Sequence, residues 1–257
     1  MIQFMSLVSG SSGNSSLISD GKTTLLIDCG ISGVKLTERL SEAGFSPSDI
    51  SGLLITHEHS DHTCGVGVIA RRYGIPLYAT EKTFASMNPG KVDSGLLNNI
   101  CPGNTFSIGD IDIHPFSIPH DAAAPVGYSF YADNSKYTLA TDIGFMPDKL
   151  FAELKGSRQI ILESNHDVEM LRFGSYPYYL KQRILSENGH MSNELSAQVS
   201  VKLADSGTES IMLAHLSREN NTPEIAEITT HNALCSEGFS NVNLSVASRY
   251  NVTRFAV

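Results

Sequence analysis

The chain has 257 residues, a formal net charge of −9, and 41% hydrophobic against 18% charged residues. This composition fits a soluble globular protein with a substantial core and excludes a fibrous or disordered chain. The acidic balance argues against a simple basic-faced nucleic-acid binder, and the longest apolar runs, such as Thr24 to Ile27, are strand-sized, far below the roughly twenty residues that cross a bilayer.

No basic segment precedes the apolar residues of Met1 to Leu7, so no signal peptide is expected. The cysteines Cys29, Cys64, Cys101 and Cys235 are scattered without CxxC spacing and read as reduced thiols of a cytoplasmic protein. Cys64 reads as a small residue packed at a helix start.

The chain opens with a strand from Gln3 to Val8, a Ser/Gly loop from Ser9 to Asn14, and strands from Ser16 to Ser19 and Thr23 to Asp28 joined by Asp20-Gly21, a hairpin signal. The Ser/Gly loop reads as a turn, since no helix or P-loop lysine follows it. Asp28, at a strand end before Cys29-Gly30, reads as a turn-former or, the preferred reading, as a partner that orients a metal-binding histidine. Val34, Leu36, Leu40 and Ala43 mark a crossover helix closed by Gly44.

Next comes Leu53-Leu54-Ile55-Thr56-His57-Glu58-His59-Ser60-Asp61-His62, an apolar run that stops in three histidines and two carboxylates. Imidazole nitrogen and carboxylate oxygen suit zinc, iron or manganese, and a strand ending in a tight loop aims such groups at one point. An N-cap at Ser60 or Asp61 would explain Asp61, but not His57, His59 and His62 together.

A helix through Val66, Ile69, Ala70 and Tyr73, a strand from Leu77 to Ala79 and a helix from Glu81 to Met87 follow, and Asn88 to Gly103 reads as an ordered loop near an entrance. Thr105 to Ile108, Ile111 to Ile118, Val126 to Tyr131 and Tyr137 to Ala140 read as an antiparallel meander. Within it His114 faces solvent or packing, whereas His120 ends a strand where sites are lined. The strand ending in Asp142-Ile143-Gly144 repeats the grammar of the one ending in Asp28-Cys29-Gly30, which points to two related halves. A helix from Pro147 to Leu154 and a strand from Gln159 to Leu162 lead to Glu163-Ser164-Asn165-His166. Helical segments flank Gly174 to Pro177, and Gly189-His190-Met191-Ser192 caps a helix from Asn193 to Leu203. The strand Ser210 to Ala214 ends at His215, and Thr222-Pro223 starts a helix to Leu234 before the last strands.

The His-x-His-x-Asp-His run, with strand-end His120, Asp142 and His215, resembles the metal motifs of the metallo-β-lactamase superfamily. The resemblance implies one α/β domain over residues 1–257, an αββα sandwich of two mixed β-sheets flanked by helices. It also implies two divalent metal ions, zinc first, with manganese or iron as alternatives. His57, His59 and His120 would hold one ion, Asp61, His62 and His215 the other, and Asp142 would bridge them. The segments Ser9 to Ser15, His120 to Ala122, Pro125 to Tyr128, Glu163 to Asp167 and Gly189 to Glu194 resemble the YycJ/WalJ-like group, related to ribonuclease Z and described as bacterial DNA exonucleases. The short helical stretch between Asp167 and Asn188 lacks the long arm of ribonuclease Z, so tRNA processing is not implied.

The expected activity is a metal-dependent phosphodiesterase, a DNA exonuclease whose nucleophile is a metal-bridging hydroxide, with His190 oriented by Glu163 as proton donor and Asp61 supporting the chemistry. Asn165, His166, Ser192 and Arg218 are candidates for positioning or substrate contact; for Lys181 and Arg183 a solvated helix face is the better reading. The alternative activity is that of a small-molecule hydrolase of the same fold, acting on a cyclic phosphodiester, lactone or thioester. DNA is the expected partner, with no membrane and no obligate protein partner. A binding module without turnover would leave Asp61, Glu163 and His190 superfluous.

Overall fold

The computed structural model describes residues 2–255. Contacts within the chain group these residues into two compact units, 2–117 with 122–134 and 248–254, and 118–121 with 135–247 and 255.

In the first unit the opening strands are antiparallel: β1 (Gln3–Val8), β2 (Ser15–Ser19) and β3 (Thr24–Ile27). The hairpin between β2 and β3 turns where Asp20 Oδ1 accepts from Lys22 N and Thr23 N. Helix α1 (Gly33–Ala43) starts on the Ser32 side chain and ends on Gly44 in the left-handed region, burying Leu36, Leu40 and Ala43. It crosses to β4 (Gly52–Leu54), which lies parallel to β3 and carries the metal-motif run at its end. Two short helices follow, α2 (Ser60–Thr63) and α3 (Val66–Tyr73), then β5 (Leu77–Thr80) and α4 (Glu81–Ser86).

The stretch expected as a loop from Asn88 to Gly103 contains a strand, β6 (Leu97–Ile100), which pairs parallel to β5. Its Leu-Asn-Asn-Ile sequence is half exposed because it is an edge strand. Pairing along one side tolerates polar side chains that break the apolar pattern of a buried strand. The meander β7 (Phe106–Ile108), β8 (Ile111–Ser117) and β9 (Val126–Ala132) is antiparallel as expected. It packs on β1 and β5 within this unit: Phe4 meets Phe130 at 6.2 Å between ring centroids, and Tyr78 stacks on Phe106 at 5.5 Å.

The second unit is a parallel array with helical crossovers. Strand β10 (Ser135–Ala140) is followed by α5 (Asp148–Leu154) and β11 (Gln159–Glu163), then α6 (Val168–Phe173), α7 (Tyr178–Ile184) and α8 (Asn193–Asp205). Strand β12 (Ser210–Ala214), α9 (Pro223–Ser236) and β13 (Asn243–Val246) complete it. Strands β10 to β13 pair parallel in sequence order, and the Ile-Ile-Leu of β11 and Ile-Met-Leu of β12 are the near-continuous apolar runs of strands covered on both faces. The short β14 (Thr253–Arg254) pairs with β1 in the first unit. Strand order is β14-β1-β2-β3-β4-β5-β6 in one seven-stranded mixed sheet and β13-β12-β11-β10-β9-β8-β7 in the other. Each sheet thus joins an antiparallel part to a parallel part, the architectural counterpart of the repeated strand-Asp grammar. No helix of the described residues is long and apolar enough to cross a membrane.

Candidate functional site

Three of the expected site residues occupy the same unusual backbone position. Asp28 after β3, Asp142 after β10 and His215 after β12 have φ of 59°, 63° and 57°. The left-handed region is uncommon for residues with a side chain, and such strain is kept where the surroundings hold it for a purpose. Here it turns a side chain off the end of a strand.

In the first unit Asp28 is the hub. Its Oδ1 and Oδ2 accept from Thr56 N and Thr56 Oγ1, each at 2.8 Å, and Oδ2 also accepts from His62 Nδ1 at 2.7 Å. Because the Thr56 hydroxyl proton goes to Asp28, its oxygen accepts from His57 Nδ1 at 3.0 Å. Both imidazoles therefore carry a proton on Nδ1, and Nε2 of each points away from Thr56 and Asp28. His57 Nε2 and His59 Nδ1 converge to 3.0 Å, and the His57 and His62 rings lie 4.2 Å apart. Imidazole nitrogens converging in this way could hold a cation with imidazole preference such as zinc.

The Ser9 to Asn14 loop does more than turn the chain. Asn14 Nδ2 donates to Asp61 Oδ2 at 3.3 Å and contacts His62 Nε2 at 3.2 Å, while Asn14 N donates to Asp61 O at 2.8 Å. This close seating requires Gly30, where an added Cβ would sit 1.6 Å from Asp61 O and 2.7 Å from Asn14 N. Glu58 Oε1 accepts from Ala123 N at 2.7 Å, and Tyr128 Oη donates to Ile55 O at 2.8 Å, so the motif loop is braced from β9 as well. The N-cap alternative for Asp61 is not what the fold uses: the cap position of α2 is His59, without a side-chain bond, and Asp61 lies inside the helix. Cys64 is exposed at the end of α2 rather than packed.

In the second unit the hub is Glu163, fully buried at the end of β11. Its Oε1 accepts from His190 Nδ1 at 2.9 Å and His215 Nδ1 at 2.8 Å, and its Oε2 from Ile143 N at 2.8 Å and Met191 N at 3.0 Å. Burial pushes the Glu163 carboxyl up, but the charge and hydrogen bonds of His190 and His215 outweigh it and hold the group well below the usual carboxylate range. It is an anion that takes the Nδ1 side of both rings, so that Nε2 of each faces away from it. Ligand atoms of Asp142, Glu163, His190 and His215 all lie within 4.8 Å of one another. His120 donates through Nδ1 to Gly189 O at 3.2 Å, which leaves Nε2 to face Asp142 Oδ1 at 3.8 Å. His190 has 21% of its side chain exposed, in contrast to the buried Asp142 and His215 beside it.

The remaining candidates sort by what they touch. Asn165 Nδ2 donates to His215 O at 2.8 Å and so holds the strained strand end. Ser192 Oγ accepts from Leu195 N as the N-cap of α8. His166 is buried with no hydrogen-bond partner on either ring nitrogen, and burial pushes its pKa down to about 4, so it packs as a neutral ring. Arg218 is exposed. Lys181 Nζ donates to Arg172 O and Gly174 O, and Arg183 pairs with Asp121 Oδ2 at 3.0 Å, which makes both structural ties. Asn14 and Thr56 escaped the sequence reading. The only local signals were an Asn closing a Gly-rich turn and a Thr preceding the first histidine.

A family model described as the metallo-beta-lactamase superfamily matches residues 8–215, a span holding both hubs and every histidine and carboxylate around them. The chain belongs to the metallo-β-lactamase superfamily. Within the superfamily, exodeoxyribonuclease WalJ of Streptococcus pneumoniae serotype 2 (strain D39 / NCTC 7466) is 47% identical over 232 residues, covering 89% of this chain and 86% of that protein. Exodeoxyribonuclease YycJ of Bacillus anthracis is 42% identical over 241 residues, covering 93% and 91%. The crystal structure of the metallo-β-lactamase fold protein YhfI from Bacillus subtilis aligns with a TM-score of 0.74 at 15% identity, covering 98% and 99%. The metallo-β-lactamase fold expected from the motif order, two mixed sheets flanked by helices, is therefore the fold of this chain.

Proposed function

We propose that this protein is a metal-dependent DNA exonuclease and that both hubs serve one active site in a single metallo-β-lactamase domain. The ligand set we assign is His57, His59 and His120 for one divalent ion, Asp61, His62 and His215 for the other, and Asp142 between them, with zinc the first candidate and manganese or iron next. The family model spans both groups of residues, and the two relatives named exodeoxyribonuclease cover most of the chain; both support the reading. The observation that carries the chemistry is the Glu163 carboxylate held on Nδ1 of His190 and His215.

Bound divalent cations supply charge neutralisation at a phosphate and lower the pKa of a water for attack on phosphorus. The protein's own groups do the rest. Asp28 and Thr56 keep the Nδ1 protons of His62 and His57 in place, so neither ring turns its lone pair away. Glu163 keeps His190 with Nε2 outward, where it gives a proton to the departing 3′ or 5′ oxygen or hydrogen-bonds the phosphoryl group. Asn165 and the Glu163–His215 bond keep the strained His215 from relaxing. The four free thiols suit the reducing cytoplasm, where we place the enzyme.

The test is incubation of the purified protein with end-labelled single- and double-stranded DNA in zinc, manganese and magnesium, beside a chelated sample, a His190→Ala variant, and cyclic nucleotide, lactone and thioester substrates. Metal-dependent shortening of DNA that the variant loses is expected. DNA left intact while one of the small substrates turns over would replace this reading with a small-molecule hydrolase.

A further inference from the structure

The hairpin of α6 and α7 carries an aromatic tip that neither the core nor the site uses. Phe173, the last residue of α6, is 84% exposed, and Tyr178 and Tyr179, the first two of α7, are 77% and 75% exposed. Single exposed apolar residues are ordinary on a protein surface, but three large rings on one hairpin mark a contact surface. They share one tip because Lys181 Nζ donates to Arg172 O at 2.8 Å and Gly174 O at 2.7 Å, tying the start of α7 to the end of α6. The turn is tight: a Cβ on Gly174 would lie 2.6 Å from Met170 O and from Asn220 Oδ1.

The same hairpin is anchored to the second hub. Ile184 O, at the end of α7, accepts from His190 N at 3.0 Å; Arg183 pairs with Asp121, the neighbour of His120. The tip is thus continuous with the segment that delivers His190.

We propose that Phe173, Tyr178 and Tyr179 form a stacking platform for unpaired bases of a single-stranded DNA end, a reading that rests on the nuclease function above. Every base offers a π-face, so aromatic stacking holds a strand without regard to sequence. A chain of net charge −9 has little long-range attraction for a polyanion, and short-range stacking is then the term left to hold it. Arg172 lies beside Phe173 and pairs with exposed Glu169, a surface pair worth a few tenths of a kcal/mol that gives way readily to a phosphate. A second copy of the chain fits less well, because the tip between the rings is Gly174, Ser175, Tyr176 and Pro177 rather than the broad apolar face of a stable dimer.

The experiment measures binding of the metal-loaded, full-length protein to a fluorescent single-stranded oligonucleotide with hydrolysis-resistant phosphorothioate linkages, and to a blunt duplex of the same length. Tyr178→Ala and Tyr179→Ala are each expected to raise Kd for the single strand by about 5- to 150-fold, the range for loss of one stacked base. Tyr178→Phe, which keeps the ring, stays within about twofold on the same grounds, and the duplex is affected less than the single strand. Circular dichroism checks that the variants are folded. A Phe173→Ala/Tyr178→Ala/Tyr179→Ala protein that binds single strands like the wild type overturns the platform, as does a wild-type dimer that the triple variant converts to monomer in light scattering. Failure of the wild type to shorten any DNA refutes the nuclease reading; shortening by the wild type with unchanged binding by the triple variant refutes the platform alone.

Discussion

Asp28 Oδ2 accepts from His62 Nδ1 at 2.7 Å, with both side chains buried. The carboxylate thereby fixes the proton on Nδ1 and turns Nε2 toward the motif loop. Asp28→Asn keeps the shape but puts an amide beside the Nδ1 proton, and metal affinity is expected to fall about 10- to 100-fold. Metal retained after dialysis against graded chelator, read by elemental analysis, checks this. Retention equal to wild type would reduce Asp28 to a strand-end brace for Thr56.

Glu163 controls His190 and His215 together. Glu163→Gln and His190→Ala are each expected to lower kcat by about 10²- to 10⁴-fold, the usual weight of a positioned proton donor, with KM changed far less. Steady-state kinetics on a short DNA substrate separate the two parameters. An effect confined to KM would place His190 in substrate binding only.

The depressed pKa of Glu163 also has a direction in pH. Its folded value lies well below the ordinary carboxylate value, so its contribution to stability is complete well above the unfolded-state pKa of about 4.3 and is lost progressively as pH falls from there through the folded value. Melting curves at about pH 7 and about pH 3, on either side of the start of that window, should show a larger drop for the wild type than for Glu163→Gln. Parallel drops would show that other carboxylates dominate the acid response.

Gly30→Ala places a Cβ against Asp61 O and Asn14 N, where backbone rather than a flexible side chain must yield. A destabilisation of about 2 kcal/mol is expected, typical of overpacking, with a Tm lower by roughly 5 °C. Calorimetry measures it, and an unshifted Tm would mean that the Asn14 loop moves aside without cost.

The cysteines should label unequally. Burial, aided by nearby Cys64 and Asp28, pushes the Cys29 thiol up to about 12, whereas Cys64, Cys101 and Cys235 are exposed. Iodoacetamide at pH 8 followed by peptide mass spectrometry should modify the three and spare Cys29. Rapid labelling of Cys29 in folded protein would contradict its enclosure.

The metal motif was readable because ligand chemistry is local: His57, His59, Asp61 and His62 follow one short strand, and no other role explains that density of imidazole. Strand-end His120, Asp142 and His215 were readable for a related reason, a polar group stopping an apolar run. Strand β6 was not, because its Asn98 and Asn99 lie at a sheet edge where pattern matters less. Nor was the burial of His166, which differs from the part-exposed His190 only in what surrounds it.

By itself, then, the sequence determined the residue types that can bind cations, their order, and the alternation of strands and helices that carries them, since these depend on neighbours along the chain. The tertiary structure alone decided which partner holds Nδ1 of His62, His120, His190 and His215, because Asp28, Gly189 and Glu163 reach those rings from other segments. It also decided that Asn14 braces the motif, that Ser192 is a cap, and that three aromatic rings stand in solvent at the tip of α6 and α7. Hydrogen-bond direction and exposure are properties of position in space, and spacing along a chain does not contain them.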